Sequence, residues 1–168
     1  MLYWAYMNKP SSLSWRPTTT LILLVGFILI IVALTSSFIW SNFKPTTQVK
    51  VGAGVYNVWV AKTASEREKG LSGVEYLKPS DGLLMVYDND GNNPIWMKDM
   101  LVPIDIVWID SNKKVVHIER DVDYKTGSDK TYMPKKFSRY VLELSAGSVD
   151  RAAIKVGQSV EFTIGDSE

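Results

Sequence analysis

The 168-residue sequence has no cysteine and a single histidine, His117. The first absence excludes disulfides, thiolate zinc sites and cysteine nucleophiles, and it leaves the redox compartment open, because a chain without thiols suits any of them. The second excludes a zinc or iron centre built mainly from imidazoles within one copy of the chain. Acidic residues are missing from everything before Glu66, so the stretch containing Lys9, Arg16, Lys44 and Lys50 is wholly basic. Setting aside Lys9, Arg16 and Lys44 leaves 16 of the 19 Lys and Arg against all 18 Asp and Glu, a balance of −2 from Lys50 onward. No basic stripe suited to a phosphate backbone occurs, and nucleic acid is not an expected partner. The glycine-rich nucleotide motifs, the G-x-S-x-G elbow and the H-E-x-x-H helix are missing too, so no cofactor and no metal are expected.

What is present begins with a long apolar run. Leu21 to Leu34 reads LILLVGFILIIVAL without a polar residue, and Phe38, Ile39 and Trp40 resume the character after Thr35, Ser36 and Ser37. Roughly 20 helical residues at about 1.5 Å each match a hydrocarbon core of about 30 Å, and Trp15 and Trp40 bracket the run as interface anchors would. The expectation is a short basic cytoplasmic leader over 1–20, a transmembrane helix acting as signal anchor over 21–40, and a linker over 41–47. An extracytoplasmic β-rich domain over 48–165 follows. The competing reading is a cleaved signal peptide with Ala33-Leu34-Thr35 as its small-residue site, which would leave the domain secreted.

From Gln48 onward, short β-branched and aromatic runs alternate with Gly, Pro, Asn and Asp, the pattern of a mainly β domain, barrel-like or sandwich, with one or two short helices. Strands are expected near 48–52, 55–62, 82–87, 94–98, 104–110, 114–120, 139–145 and 158–164. Thr63 with Glu66 three residues on forms a capping box for a helix from Ala64 to Lys69, closed by Gly70. A second short helix is expected between Ser148 and Ile154, and residues 121–138 read as a long surface loop. The run Asp88-Asn89-Asp90-Gly91-Asn92-Asn93 resembles the start of a calcium loop with Asp99 as its closing acid. Asn93 stands where the sharp turn needs glycine, however, and a hairpin turn joining strands 82–87 and 94–98 is the preferred reading.

Few residues can carry chemistry. Asp105 lies on an otherwise apolar strand beside Val107 and Ile109, where a carboxylate needs a partner, and Lys98 and Arg67 are the candidate cations. Glu143 repeats the situation, aligned with Val141 and Ser145 rather than with the leucines. If the two carboxylates shared a cavity they would divide acid and base roles. Trp96 and Lys98 alternate on one strand and point the same way, with Trp96 read as a core aromatic. His117, on the face of Val115 and Glu119, is read as structural.

These residues also recur together. Glu66-Arg67-Glu68-Lys69-Gly70-Leu71, Gly82-Leu83-Leu84-Met85, Trp96-Met97-Lys98, Pro103-Ile104-Asp105 and Tyr140 to Gly147, with the later Gly157, resemble in order the bacterial and archaeal domain of unknown function numbered 192. The resemblance implies a compact, mostly β domain with short helices, often secreted or behind a hydrophobic segment, whose members have no established activity. In that family Trp-Met-Lys usually continues with Asn and a small residue, whereas Asp99 and Met100 follow here. Trp96, Lys98, Asp105, Glu143 and Arg67 are the resulting ligand-site candidates. The expected function is a membrane-anchored extracytoplasmic module binding an envelope component or another membrane protein. The alternative is a cell-envelope hydrolase or transferase using the Asp105 and Glu143 pair.

Overall fold

The computed structural model describes residues 21–31 and 46–165, which fall in separate compact units. Among the described residues the first contributes helix α1, over 21–31. The eleven described residues rise about 16 Å, half the thickness of a hydrocarbon core. Among the described residues no helix is long and apolar enough to cross a membrane, which corrects the expected transmembrane helix over 21–40. Residues 32–40 of that expected span, all of the 1–20 leader and residues 41–45 of the linker lie outside the described residues.

The second unit is mainly β. Its strands are β1 (Thr46–Val51), β2 (Gly54–Ala61), β3 (Asp81–Gly91), β4 (Ile95–Trp96), β5 (Ile104–Ile109), β6 (Val115–Val122), β7 (Thr131–Tyr132), β8 (Ser138–Ser145) and β9 (Val160–Phe162). Two short helices, α2 (Ala64–Lys69) and α3 (Ser148–Arg151), interrupt them. Seven strands form one sheet in the order β6-β5-β8-β3-β2-β1-β9. The pair β2–β3 is parallel, and parallel neighbours need a crossover, which the segment carrying α2 supplies. At one end the sheet's edges meet. Val115 N donates to Gln158 O at 2.9 Å and Val160 N to Lys113 O at 2.9 Å, curling the sheet into a half-barrel.

The curled sheet explains why β5 is buried along its whole length. Val49, Val58, Leu84, Val107, Val115, Leu142 and Val160, one from each of the seven strands, meet in a single inner core. The opposite face of β3, β5 and β8 carries Leu83, Met85, Ile104, Ile106, Trp108 and Val141, covered by Leu71, Leu77, Ile95, Met97, Met100 and Tyr132. A strand buried on both faces reads as a continuous apolar run, as β5 does.

Two local expectations are corrected. The hairpin between 82–87 and 94–98 does not form: β4 pairs with β7 in a separate two-stranded ribbon, and β3 runs on to Gly91 beside β8. The Trp108 indole fixes the intervening turn by donating to Asn93 O at 2.9 Å, while Asn93 Nδ2 donates to Ser138 O at 2.6 Å. The stretch 121–138 is likewise no plain loop. It contains the end of β6, a 3₁₀ turn at Tyr124–Thr126 and β7.

Candidate functional site

The site is built on the outer core, where α2, the β4 ribbon and the centre of the sheet leave a cavity of about 450 Å³. Local chemistry sets α2 first. Thr63 Oγ1 accepts from Glu66 N at 3.2 Å, and Glu66 Oε2 accepts from Thr63 N at 2.8 Å and from Lys62 N at 2.9 Å, a completed capping box. Those backbone donors, Thr63 foremost, hold the Glu66 carboxyl below its usual range. With α2 so anchored, Arg67 reaches the sheet: its Nη1 donates to Lys62 O and, at 2.9 Å, to Val86 O, and its guanidinium lies 4.7 Å from the Tyr87 ring centroid. Burial pushes the Tyr87 hydroxyl above its usual value, with Arg67 opposing that rise.

The helix then ends at Gly70, whose φ of 50° is a conformation that L side chains rarely adopt. A Cβ there would stand 3.4 Å from Met85 Cε and 3.8 Å from Glu143 Oε2. The chain therefore passes directly over the Glu143 carboxyl. On the other side, Lys98 Nζ lies 5.4 Å from the centroid of the Trp96 ring. Ser72 Oγ donates to Lys98 O at 2.9 Å, and Met97 N to Gly127 O at 2.9 Å, pinning this segment to the α2 loop and the 3₁₀ turn.

Glu143 sits at the floor. It is only 3 % exposed, and its Oε2 is buried with no hydrogen-bond partner among the described residues. Burial alone pushes its carboxyl up to about 8, so the group keeps its proton at neutral pH. Leu71, Met85, Ile95 and Met100 supply apolar walls, Tyr87 and Trp96 aromatic ones, and Arg67, Lys69 and Lys98 positive charge. Such a space, apolar with few convergent polar groups, has the size and character of a small-molecule site.

The structure brings Trp96, Lys98, Arg67 and Glu143 to this cavity and leaves Asp105 out of it. Ile106 is the partner of Glu143 across β5 and β8, and Leu144 that of Asp105. Residues opposite each other share a face and successive ones alternate, so the two carboxyls project from opposite sides of the sheet. The expected acid and base pair is thus corrected. The cation partner expected for Asp105 is corrected as well. Its Oδ1 accepts from Asp121 N at 2.9 Å and its Oδ2 from Val149 N at 2.7 Å, so it holds the end of β6 and the start of α3.

Trp96 is 42 % exposed and stands on the cavity wall rather than in the core. His117 shares its face with Trp108, ring centroids 5.3 Å apart, and contacts Glu119 at 3.1 Å. A register shift between Trp108 and Ile109 separates it from Val115, which faces the inner core. Sequence reasoning missed Gly70, Met85, Tyr87 and Met100 as site residues. The only signal for them was that Gly70 and Met85 fall inside the recurring segments.

Comparison with known proteins agrees with this architecture. The UPF0127 protein of Thermococcus kodakarensis is 29 % identical over 107 residues, 63 % of this chain and 64 % of that protein. A UPF0127 protein of Thermococcus gammatolerans is 29 % identical over 109 residues, 64 % of this chain and 67 % of that one. The chain thus spans just under two thirds of the Thermococcus kodakarensis relative. A solved structure from Sinorhizobium meliloti 1021, provisionally described as a transcription regulator, has a TM-score of 0.66 at 24 % identity, over 71 % of this chain and 95 % of that one. A protein of unknown function from Novosphingobium aromaticivorans DSM 12444 has a TM-score of 0.62 at 23 % identity, over 70 % and 84 %. At those identities the likeness establishes the fold alone. The model of the family described as "Uncharacterized ACR" matches residues 47–162, more than half of the chain, which therefore belongs to the domain-of-unknown-function family 192, uncharacterised and without an established activity.

Proposed function

We propose that the protein is a small-molecule-binding module whose ligand enters the cavity between α2, the β4 ribbon and the central strands. One observation carries this reading: a buried Glu143 oxygen without a partner faces that space. A buried polar group left unsatisfied costs about 1–3 kcal/mol, which a ligand making the missing hydrogen bond recovers. Binding is favoured over two-carboxylate catalysis because Asp105 lies on the other face of the sheet. Ligand-observed NMR of the full chain against a fragment set tests the proposal. Fragments that bind are expected to lose binding in Thr131→Trp, which sets an indole beside Trp96 at the cavity mouth. Fragments that bind both proteins equally, or none that bind, refute it.

We also infer that the module acts outside the cytoplasm. Support comes from sequence alone, in the charge-free run from Leu21 to Leu34 behind Lys9 and Arg16. Protease added to intact cells is expected to digest the C-terminal domain, and a fully protected domain refutes the inference.

A further inference from the structure

The cavity's charge is one-sided. Arg67, Lys69 and Lys98 face it with a single ionised acid, Glu68, because Glu143 holds its proton at pH 7, leaving a net charge of +2. None of these cations belongs to an ion pair among the described residues, where the pairs are His117–Glu119 and Arg120–Asp150. Arg67 is oriented by backbone carbonyls and an aromatic ring, and Lys98 by an aromatic ring; the carboxylate that Arg67 acts on, Glu66, is held by backbone N–H groups and lies outside the cavity lining. Partly enclosed by low-dielectric walls, such charges attract an anion more strongly than they would in water.

We propose that the ligand is an amphiphilic monoanion with the chemistry of a medium-chain carboxylate, its negative group drawn by Arg67 and Lys98 and its apolar body lying against Leu71, Met85 and Met100. This deepens the binding reading above and rests on it. Glu143 decides whether an anion is admitted. Protonated, it donates a hydrogen bond to an acceptor on the ligand. Ionised, it repels the same group. The titratable and charged groups facing it are Arg67, Glu68 and Lys69 from α2, Tyr87 from β3 and Lys98 after β4, while β5 places Ile106 opposite it. Tyr87 stays neutral through the relevant range because burial raises its hydroxyl further. Glu143 is therefore the group whose proton release, near pH 8, turns an anion acceptor into an anion repeller.

Isothermal calorimetry of the full chain with octanoate, octanamide and octylammonium, three probes sharing one tail, tests this. At pH 6.5 octanoate is expected to bind at least about ten-fold more tightly than octanamide, with octylammonium weakest. Lys98→Met should shrink the octanoate preference to about two-fold or less. Wild-type affinity for octanoate should fall as pH rises from 7 to 9, and Glu143→Gln should flatten that profile. Equal binding of the three probes overturns the anion assignment while leaving the cavity as a binding site, and tighter binding of octylammonium reverses its sign. If none of the three binds while other fragments occupy the cavity, the ligand class is wrong and the module reading stands. If no fragment binds at all, both fail.

Discussion

Replacing Glu143 by glutamine should make the protein more stable, by an amount set by pH. In the unfolded chain the carboxyl loses its proton near its ordinary 4.5, whereas in the folded chain it keeps the proton to about 8. Between those values the native state binds one more proton than the unfolded state, so wild-type stability falls as pH rises, by about 1.4 kcal/mol per unit for one proton. At pH 7 the accumulated loss is about 3 kcal/mol, and above pH 8 it levels off near about 5 kcal/mol. Glutamine has no proton to lose and escapes this term. Its amide adds a desolvation cost, but that cost is the same at every pH. The pH dependence of the difference between the two proteins is therefore the clean quantity. Urea unfolding followed by tryptophan fluorescence from pH 4 to 9 should give a stability difference that is flat below pH 4.5. It should then grow in favour of the variant up to pH 8. By pH 7 that growth corresponds to roughly 10 °C in Tm for a domain of this size. Parallel stability profiles for the two proteins would mean that Glu143 is ionised or partnered in the native state, and the account of the cavity floor would be wrong.

Removing the Asp105 carboxylate should harm folding and spare binding. Asp105→Ala leaves the N–H of Asp121 and the buried N–H of Val149 without their acceptor, an expected loss of about 2–3 kcal/mol by urea unfolding, with fragment binding at the cavity unchanged in the folded fraction. Gly82→Ala would set a Cβ 2.5 Å from Glu143 O and 2.9 Å from Leu144 Cδ2, wedging β3 from β8. It should destabilise by about 1–3 kcal/mol and raise amide exchange in both strands. Thr63→Ala removes the cap of α2 and should cost about 1 kcal/mol by urea unfolding. The Glu66 half of that cap strengthens folding above its ordinary titration range, and this contribution disappears as the pH falls through its lowered value.

Much of the local structure was legible because it depends on neighbours in the chain. The capping box at Thr63 and Glu66 needs only a few residues, and period-2 alternation correctly aligned Asp105 with Val107 and Glu143 with Val141. The eight expected strands all occur, and the short β7 was hidden in a segment too polar to show a period. A recurring set of segments also disclosed the family. The apolar run from Leu21 to Trp40 was legible as composition, and the residues described within it, 21–31, are helical.

The amino-acid sequence by itself thus determined which side chains share a strand face, where α2 begins and ends, and to which family the chain belongs. Only the tertiary structure decided how those faces combine. Whether Asp105 and Glu143 meet depends on the register of β5 against β8, and a slip of one residue would have put them together, since side chains alternate at every step. The pairing of β4 with β7, the register shift that parts His117 from Val115, and the passage of Gly70 over Glu143 are likewise contacts between segments distant in the chain. Burial belongs to the assembled fold. The same burial that packs the outer core leaves the Glu143 carboxyl protonated, unpartnered and facing a cavity.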